Sequence, residues 1–190
     1  VDLTAAGATT ILYEAGRVLG GRARSVTIDS RTLDNGQHIL LGAYRDTLAL
    51  MRQVGADPEL LLERHPLQVV DHTGFRLALP EWPAPLNVAW GLLSARGVDW
   101  REKLATAWWM QGIKARRFRL NGDCTVAEWM DAAGQTGALR RHLWEPLCLA
   151  ALNTPPDRAS AQVFANVLRD SLGSARREDT DLLLPRVALG

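Results

Sequence analysis

The spacing of apolar positions changes period along the chain, and each change marks a new element. Val1 to Ala6, closed by Gly7, reads as the last turns of a helix, and the apolar run Thr9–Tyr13, ending on Glu14, reads as a strand. Val26–Asp29 and Thr32–Leu33 are short strands around Ser30-Arg31. Leu48, Met51 and Val54 recur at helical spacing within Tyr44–Val54, and Pro58–Glu63 adds another turn. Leu67–Asp71 and Phe75–Leu79 are strands joined by Asp71-His72-Thr73-Gly74, a hairpin signal. Pro80, Pro83 and Pro85 then break any regular element.

From Leu86 to about Leu172 the pattern is helical. Asp99 caps a helix running to about Arg119, with Trp100, Leu104, Trp108 and Ile113 along one side. Thr125 and Glu128 form a capping-box signature for Val126–Ala133, which Gly134 closes. Leu139–Leu152 gives one or two helices interrupted near Pro146. Asn153-Thr154-Pro155-Pro156 is a loop, and Ala159–Leu172 is a helix stopped by Gly173. Ser174–Asp181 is polar and expected at the surface, and Asp181–Leu189 reads as a strand or lip. The expected organisation is a nucleotide-binding part over residues 1–80, a mostly helical part over 81–180, and the start of a further part over 181–190. Both ends read as cut, the first inside a crossover helix.

Composition narrows the function classes. A net charge of +1 with arginines scattered among acids argues against nucleic acid as a partner. The pairs Arg116-Arg117, Arg140-Arg141 and Arg176-Arg177 read as solvated helix faces. No apolar run approaches the roughly 18 residues of a membrane span. Cys124 and Cys148 stand alone, without metal or redox spacing, which suits reduced thiols in a cytoplasmic setting. His65, His72 and His142 make no metal pattern, so no metal is expected. The seven tryptophans belong mainly to the core, with some available to line an apolar tunnel. Glu145 reads as a helix-surface charge.

The chemistry concentrates in Tyr13-Glu14-Ala15-Gly16-Arg17-Val18-Leu19-Gly20-Gly21-Arg22-Ala23-Arg24-Ser25. An acid closing the second strand of a dinucleotide-binding fold accepts hydrogen bonds from the adenosine ribose hydroxyls. Gly20 and Gly21 lack Cβ atoms, so their backbone can approach a ligand, and their amides beside Arg22 and Arg24 suit a pyrophosphate. An ordinary glycine turn with surface arginines is the bland alternative. The glycine-rich fingerprint that lies roughly 20 residues before such an acid has no room ahead of Glu14. A carboxylate there repels a 2′-phosphate, which favours FAD or NAD over NADP. A second segment, Asp34-Asn35-Gly36-Gln37-His38, pairs a permissive glycine with an amide that donates and accepts and with an imidazole that titrates near neutrality. Its bland reading is a tight Asn-Gly loop with a hydrogen-bonded histidine.

The Tyr-Glu-Ala…Leu-Gly-Gly-Arg-Ala-Arg-Ser pattern resembles the flavin-dependent amine oxidase and phytoene desaturase superfamily. Leu33–Tyr44, with its Asp-Asn-Gly-Gln-His core, and Trp144–Thr154, with Glu145-Pro146-Leu147-Cys148, are similar to the hydroxysqualene dehydroxylases, also described as squalene-associated desaturases. The resemblance covers nearly the whole chain. It implies an α/β fold: a partial Rossmann-like FAD-binding domain followed by a largely helical portion of a substrate domain. It implies FAD as cofactor, with Glu14 at the ribose, Ala15 also cofactor-binding, Gly20, Gly21 and Arg22 at the pyrophosphate and ribityl chain, and Gly36 and Gln37 at the isoalloxazine. His38 is the catalytic candidate, as a proton donor. The implied reaction is the reductive removal of the hydroxyl of hydroxysqualene to give squalene, a hopanoid precursor, with an isoprenoid small-molecule substrate. The implied setting is cytoplasmic, with peripheral contact at the inner face of the cell membrane. Rival readings are a carotenoid or phytoene desaturase, another amine oxidase-like enzyme, and a segment that is inactive by itself.

Overall fold

The computed structural model describes residues 1–17, 25–34 and 39–186. Helices and strands mix along the chain, as expected, and divide into two compact units. The first comprises Val1–His65 with Leu182–Gly190, and the second Pro66–Asp181.

In the first unit, α1 (Asp2–Ala5) ends at Gly7, whose φ of +84° suits glycine. The run Thr9–Tyr13 is exposed and is not a strand. Its residues favour extended backbone, yet a strand needs a hydrogen-bonded neighbour, and none of the described residues supplies one. Strands β1 (Ser25–Ile28) and β2 (Arg31–Asp34) form an antiparallel hairpin with Ile28 opposite Arg31. The two-residue turn is therefore Asp29-Ser30, at φ +48° and +64°, one residue earlier than the sequence suggests. Positive φ at both positions is the primed turn whose twist matches paired strands.

A three-stranded antiparallel sheet has the order β3 (Leu40–Leu41), β7 (Leu182–Pro185), β4 (Leu62–His65). The last strand lies in the middle, with Leu40 opposite Leu183 and Arg64 opposite Leu183 on the other side. Helix α2 (Arg45–Gln53) packs Leu48 and Met51 onto Leu62, Leu183 and Leu40. Asp57 caps the short α3 (Pro58–Leu61), accepting from the Glu59 N–H at 3.0 Å, with Pro58 in the first turn. All strand pairings among the described residues are antiparallel.

The second unit opens on the hairpin β5 (Gln68–Val70) and β6 (Arg76–Ala78). Helices follow: α4 (Leu86–Ser94), α5 (Trp100–Ala115), α6 (Val126–Ala132), α7 (Glu145–Leu152) and α8 (Ala161–Asp170). Helix α8 turns Ala161, Phe164, Ala165 and Leu168 inward at i, i+3, i+4 and i+7. Helix α8 contacts α6 and α7, on which Val126, Met130 and Cys148 are buried, with Leu139 and Trp144 buried in the same unit. Asp99, Thr125 and Ser160 cap their helices as side-chain acceptors. A π-helical turn, Arg140–Trp144, runs directly into α7. Pro146 explains it: proline has no N–H for the ladder, so the preceding turn widens and the Glu145 N–H reaches the Arg140 carbonyl.

Three expectations are corrected. Trp100, Leu104 and Trp108 of α5 share an exposed side, and Ile113 is buried, so it does not lie with them. Segment 174–181 is not all surface: Asp179, Thr180 and Asp181 are buried, with the Ser174 hydroxyl donating to Asp179 at 2.5 Å and Arg177 3.5 Å from Asp181. Arg140 is not a solvated charge. It is mostly buried and paired to Asp131 and to Glu145, the latter at 2.8 Å.

Candidate functional site

The first unit carries the candidate nucleotide site. Glu14 lies on an exposed segment without regular structure, and the Gly16 N–H donates to its Oε1 at 2.6 Å. That bond closes a small turn and fixes the direction of the carboxylate. Ala15, beside it, is exposed and small. Gly20, Gly21, Arg22, Gly36, Gln37 and His38 lie outside the described residues. Their covalent neighbours are informative. Ser25 and Asp34 are paired partners at the open end of the β1–β2 hairpin. The chain therefore enters the hairpin from 18–24 and leaves it into 35–38 at one and the same end.

An FAD molecule makes specific demands on these residues. An adenosine ribose needs an acceptor for two hydroxyls, and an exposed carboxylate with one oxygen anchored locally meets that need in chemical kind. Of the described residues, Glu14 fits that need: its carboxylate would hold the ribose.

The second unit holds an aromatic cluster. Trp109 lies 4.9 Å from Trp129 and 5.6 Å from Trp144, edge-on to the latter at 71°. Trp109 and Trp129 line a cavity of about 300 Å³ together with Ile113, Leu120, Arg116 and Arg119. A smaller cavity of about 130 Å³ lies between α4 and α5, walled by Val88, Leu92, Met110 and Phe118. Of the tryptophans expected in a core or tunnel, Trp144 is fully buried and Trp109 and Trp129 line a cavity, whereas Trp82, Trp90, Trp100 and Trp108 are exposed. The segment 144–148 is structural here: Trp144 and Cys148 are buried, and Glu145 binds Arg140. Burial, and secondarily Glu145, push the Cys148 thiol above its ordinary range, which makes it a poor nucleophile.

A polar network that sequence reading treats as a plain turn joins the hairpin to the π-turn. Asp71 accepts from the Thr73 hydroxyl at 2.6 Å and from the N–H groups of Thr73 and Phe75, at 2.7 and 3.2 Å. Its other oxygen lies 2.5 Å from His142 Nδ1, and the His142 ring stacks on Phe75 at 4.9 Å. The Thr73 hydroxyl chiefly, then the two N–H groups and His142, hold the Asp71 carboxyl below its usual range against the opposing effect of burial. The Asp-x-Thr-Gly turn was a visible signal for this carboxylate, but nothing local pointed to His142, far along the chain. Among the described residues no group of three or more His, Cys, Asp or Glu is placed to hold a metal, and no helix is long and apolar enough to cross a membrane.

The fold mixes helices and sheets, as in an FAD-binding oxidoreductase domain. The family model "Flavin containing amine oxidoreductase" matches residues 1–177, and the chain belongs to that family, whose cofactor is FAD. Among curated proteins, the hydroxysqualene dehydroxylase of Zymomonas mobilis is 26% identical over 99% of this chain and 43% of its own length. That of Sinorhizobium fredii is 30% identical over 90% of the chain and 40% of its own length. The probable zeta-carotene desaturase of Synechococcus elongatus is 25% identical over 89% of the chain and 38% of its own length. The chain thus spans less than half the length of the curated relatives it matches.

Proposed function

We propose that the chain is part of an FAD-dependent oxidoreductase that reductively removes the hydroxyl of hydroxysqualene to give squalene, in supply of hopanoid-type triterpenoids. The observation that carries this reading is the pair of segments Asp34–His38 and Trp144–Cys148, similar to the hydroxysqualene dehydroxylases, on a chain that matches curated members along 90–99% of its length. Bound FAD, when reduced, supplies a hydride equivalent. Glu14 and Ala15 orient the adenosine end, Gly20, Gly21 and Arg22 hold the pyrophosphate, and Gly36 and Gln37 border the ring. His38 donates a proton to the leaving hydroxyl, which departs as water. The balance is one alcohol, one hydride and one proton to one alkene-bearing hydrocarbon and one water. The isoprenoid suits apolar walls such as those of the helical unit. The protein works in the cytoplasm, with peripheral contact at the membrane.

A second reading, desaturation of a carotenoid precursor, rests on the likeness to the zeta-carotene and phytoene desaturases. It uses the same cofactor in the opposite redox direction. The protein loaded with FAD is incubated without oxygen, once with dithionite and hydroxysqualene and once with a quinone and phytoene, and the products are separated by gas chromatography. Squalene from the first mixture alone supports dehydroxylation. A desaturated carotenoid from the second mixture, with no squalene from the first, overturns it.

A further inference from the structure

The outward sides of α4 and α5 are the apolar ones. On α4, Leu86, Ala89, Trp90 and Leu93, at i, i+3, i+4 and i+7, are all exposed. On α5, Trp100, Leu104 and Trp108 recur every four residues and are 62%, 48% and 76% exposed. The inner side of α5 buries Thr106, whose hydroxyl donates to Gln135 at 2.6 Å, and brings Glu102 to accept from the Leu139 N–H at 2.6 Å. A helix in water turns its apolar stripe inward; α5 does the reverse. The two stripes belong to one surface, because exposed Ala89 of α4 and exposed Ala107 and Gln111 of α5 line the same slot. Trp82 packs on Trp90 at 5.3 Å and widens the patch.

Composition and charge say what this surface fits. Four of the seven tryptophans lie on it. An indole, with an apolar body and one polar N–H, is suited to the boundary between acyl chains and headgroups. Residues 86–119 carry seven Lys and Arg against two acids, Asp99 and Glu102, a net +5 in a chain of net +1. Glu102 is turned inward, Arg101 lies 5.6 Å over the Trp100 ring, and Arg116 and Arg119 are exposed just beyond the end of α5. A second copy docking face to face would set this positive charge against itself. An anionic bilayer offers the complementary sign.

We propose that the α4–α5 face seats on an anionic lipid bilayer, with Trp90, Trp100, Leu104 and Trp108 in the interfacial layer and Arg101, Arg116 and Arg119 at the lipid phosphates. This gives the membrane contact of the proposed function a definite surface; its test reads binding only, so its failure leaves the reaction untouched. The protein is sedimented with phosphatidylglycerol/phosphatidylcholine vesicles and with phosphatidylcholine alone. Preference for the anionic vesicles, weakening with salt, is expected. Trp100→Gln/Leu104→Gln/Trp108→Gln, folded by circular dichroism, should lose more than about tenfold in partitioning. Arg116→Gln/Arg119→Gln should lose about 10- to 30-fold on anionic vesicles and little on neutral ones. Brominated lipids should quench the tryptophan emission of the unmodified protein, a readout that needs no variant. Absence of sedimentation with anionic vesicles, unchanged binding by the folded triple variant, or a dimer that this variant dissolves each overturns the proposal.

Discussion

Replacing Glu14 tests the nucleotide site at its best-described residue. The carboxylate has two roles that can be separated. Its Oε1 accepts from the Gly16 N–H at 2.6 Å, which orders the turn, and in the proposed site the group accepts from the ribose. A hydrogen bond to a charged acceptor contributes about 1.5–3 kcal/mol, and a neutral one about 0.5–1.5 kcal/mol. Glu14→Ala loses the ribose bond outright, so FAD affinity should fall by about one to two orders of magnitude. Glu14→Gln keeps the amide oxygen for Gly16 but loses the charge, so its loss should be intermediate, about tenfold. Titration of the apoprotein with FAD by calorimetry gives both constants, with circular dichroism confirming the fold. Wild-type affinity in both folded variants removes Glu14 from the site. A weakened Ala variant beside a fully wild-type Gln variant would show that Glu14 only orders the turn.

His38→Ala should keep bound FAD and lose about 10²–10⁴-fold in turnover, as measured by single-turnover rates; a near wild-type rate in the flavin-loaded variant refutes the acid role. Thr125→Ala removes a capping box in which Thr125 Oγ1 accepts from the Glu128 N–H at 3.2 Å and Glu128 accepts from the Thr125 N–H at 2.9 Å. It should cost about 1 kcal/mol, or about 2–4 °C in Tm for a chain of this size; an unchanged melting curve contradicts that. Because the Asp71 carboxyl titrates lower in the folded state than in the unfolded one, its contribution is present above the unfolded carboxylate range, near pH 4, and is lost as pH falls through the folded value. The urea midpoint should therefore drop below about pH 4, and Asp71→Asn should flatten that drop; an equal slope in the variant assigns the acid sensitivity elsewhere.

Local signals were legible in the sequence where the bonds themselves are local. The Thr125–Glu128 box, the Asp99 cap and the Asp71–Gly74 turn each close within a few residues, and the structure contains them. Strands β3 and β4 escaped because their partner, β7, arrives more than a hundred residues later and inserts between them. Leu40–Leu41 is too short for any period to show. The four-residue spacing of Trp100, Leu104 and Trp108 correctly marks one side of a helix, but periodicity cannot say whether that side meets protein or solvent. Of the candidate site, the described residues include Glu14, which stands exposed with a donor on one oxygen; the two glycine segments lie outside them. The Asp71–His142 pair was not legible, because its members meet only through folding of the second unit.

The most direct test of the account follows the flavin itself. The FAD-loaded protein is photoreduced without oxygen and mixed rapidly with hydroxysqualene, and flavin absorbance and squalene are recorded together. Reductive dehydroxylation predicts that the flavin is reoxidised as one squalene forms per flavin. A flavin that stays reduced with hydroxysqualene, while oxidised flavin in the same protein is reduced by phytoene, contradicts the account.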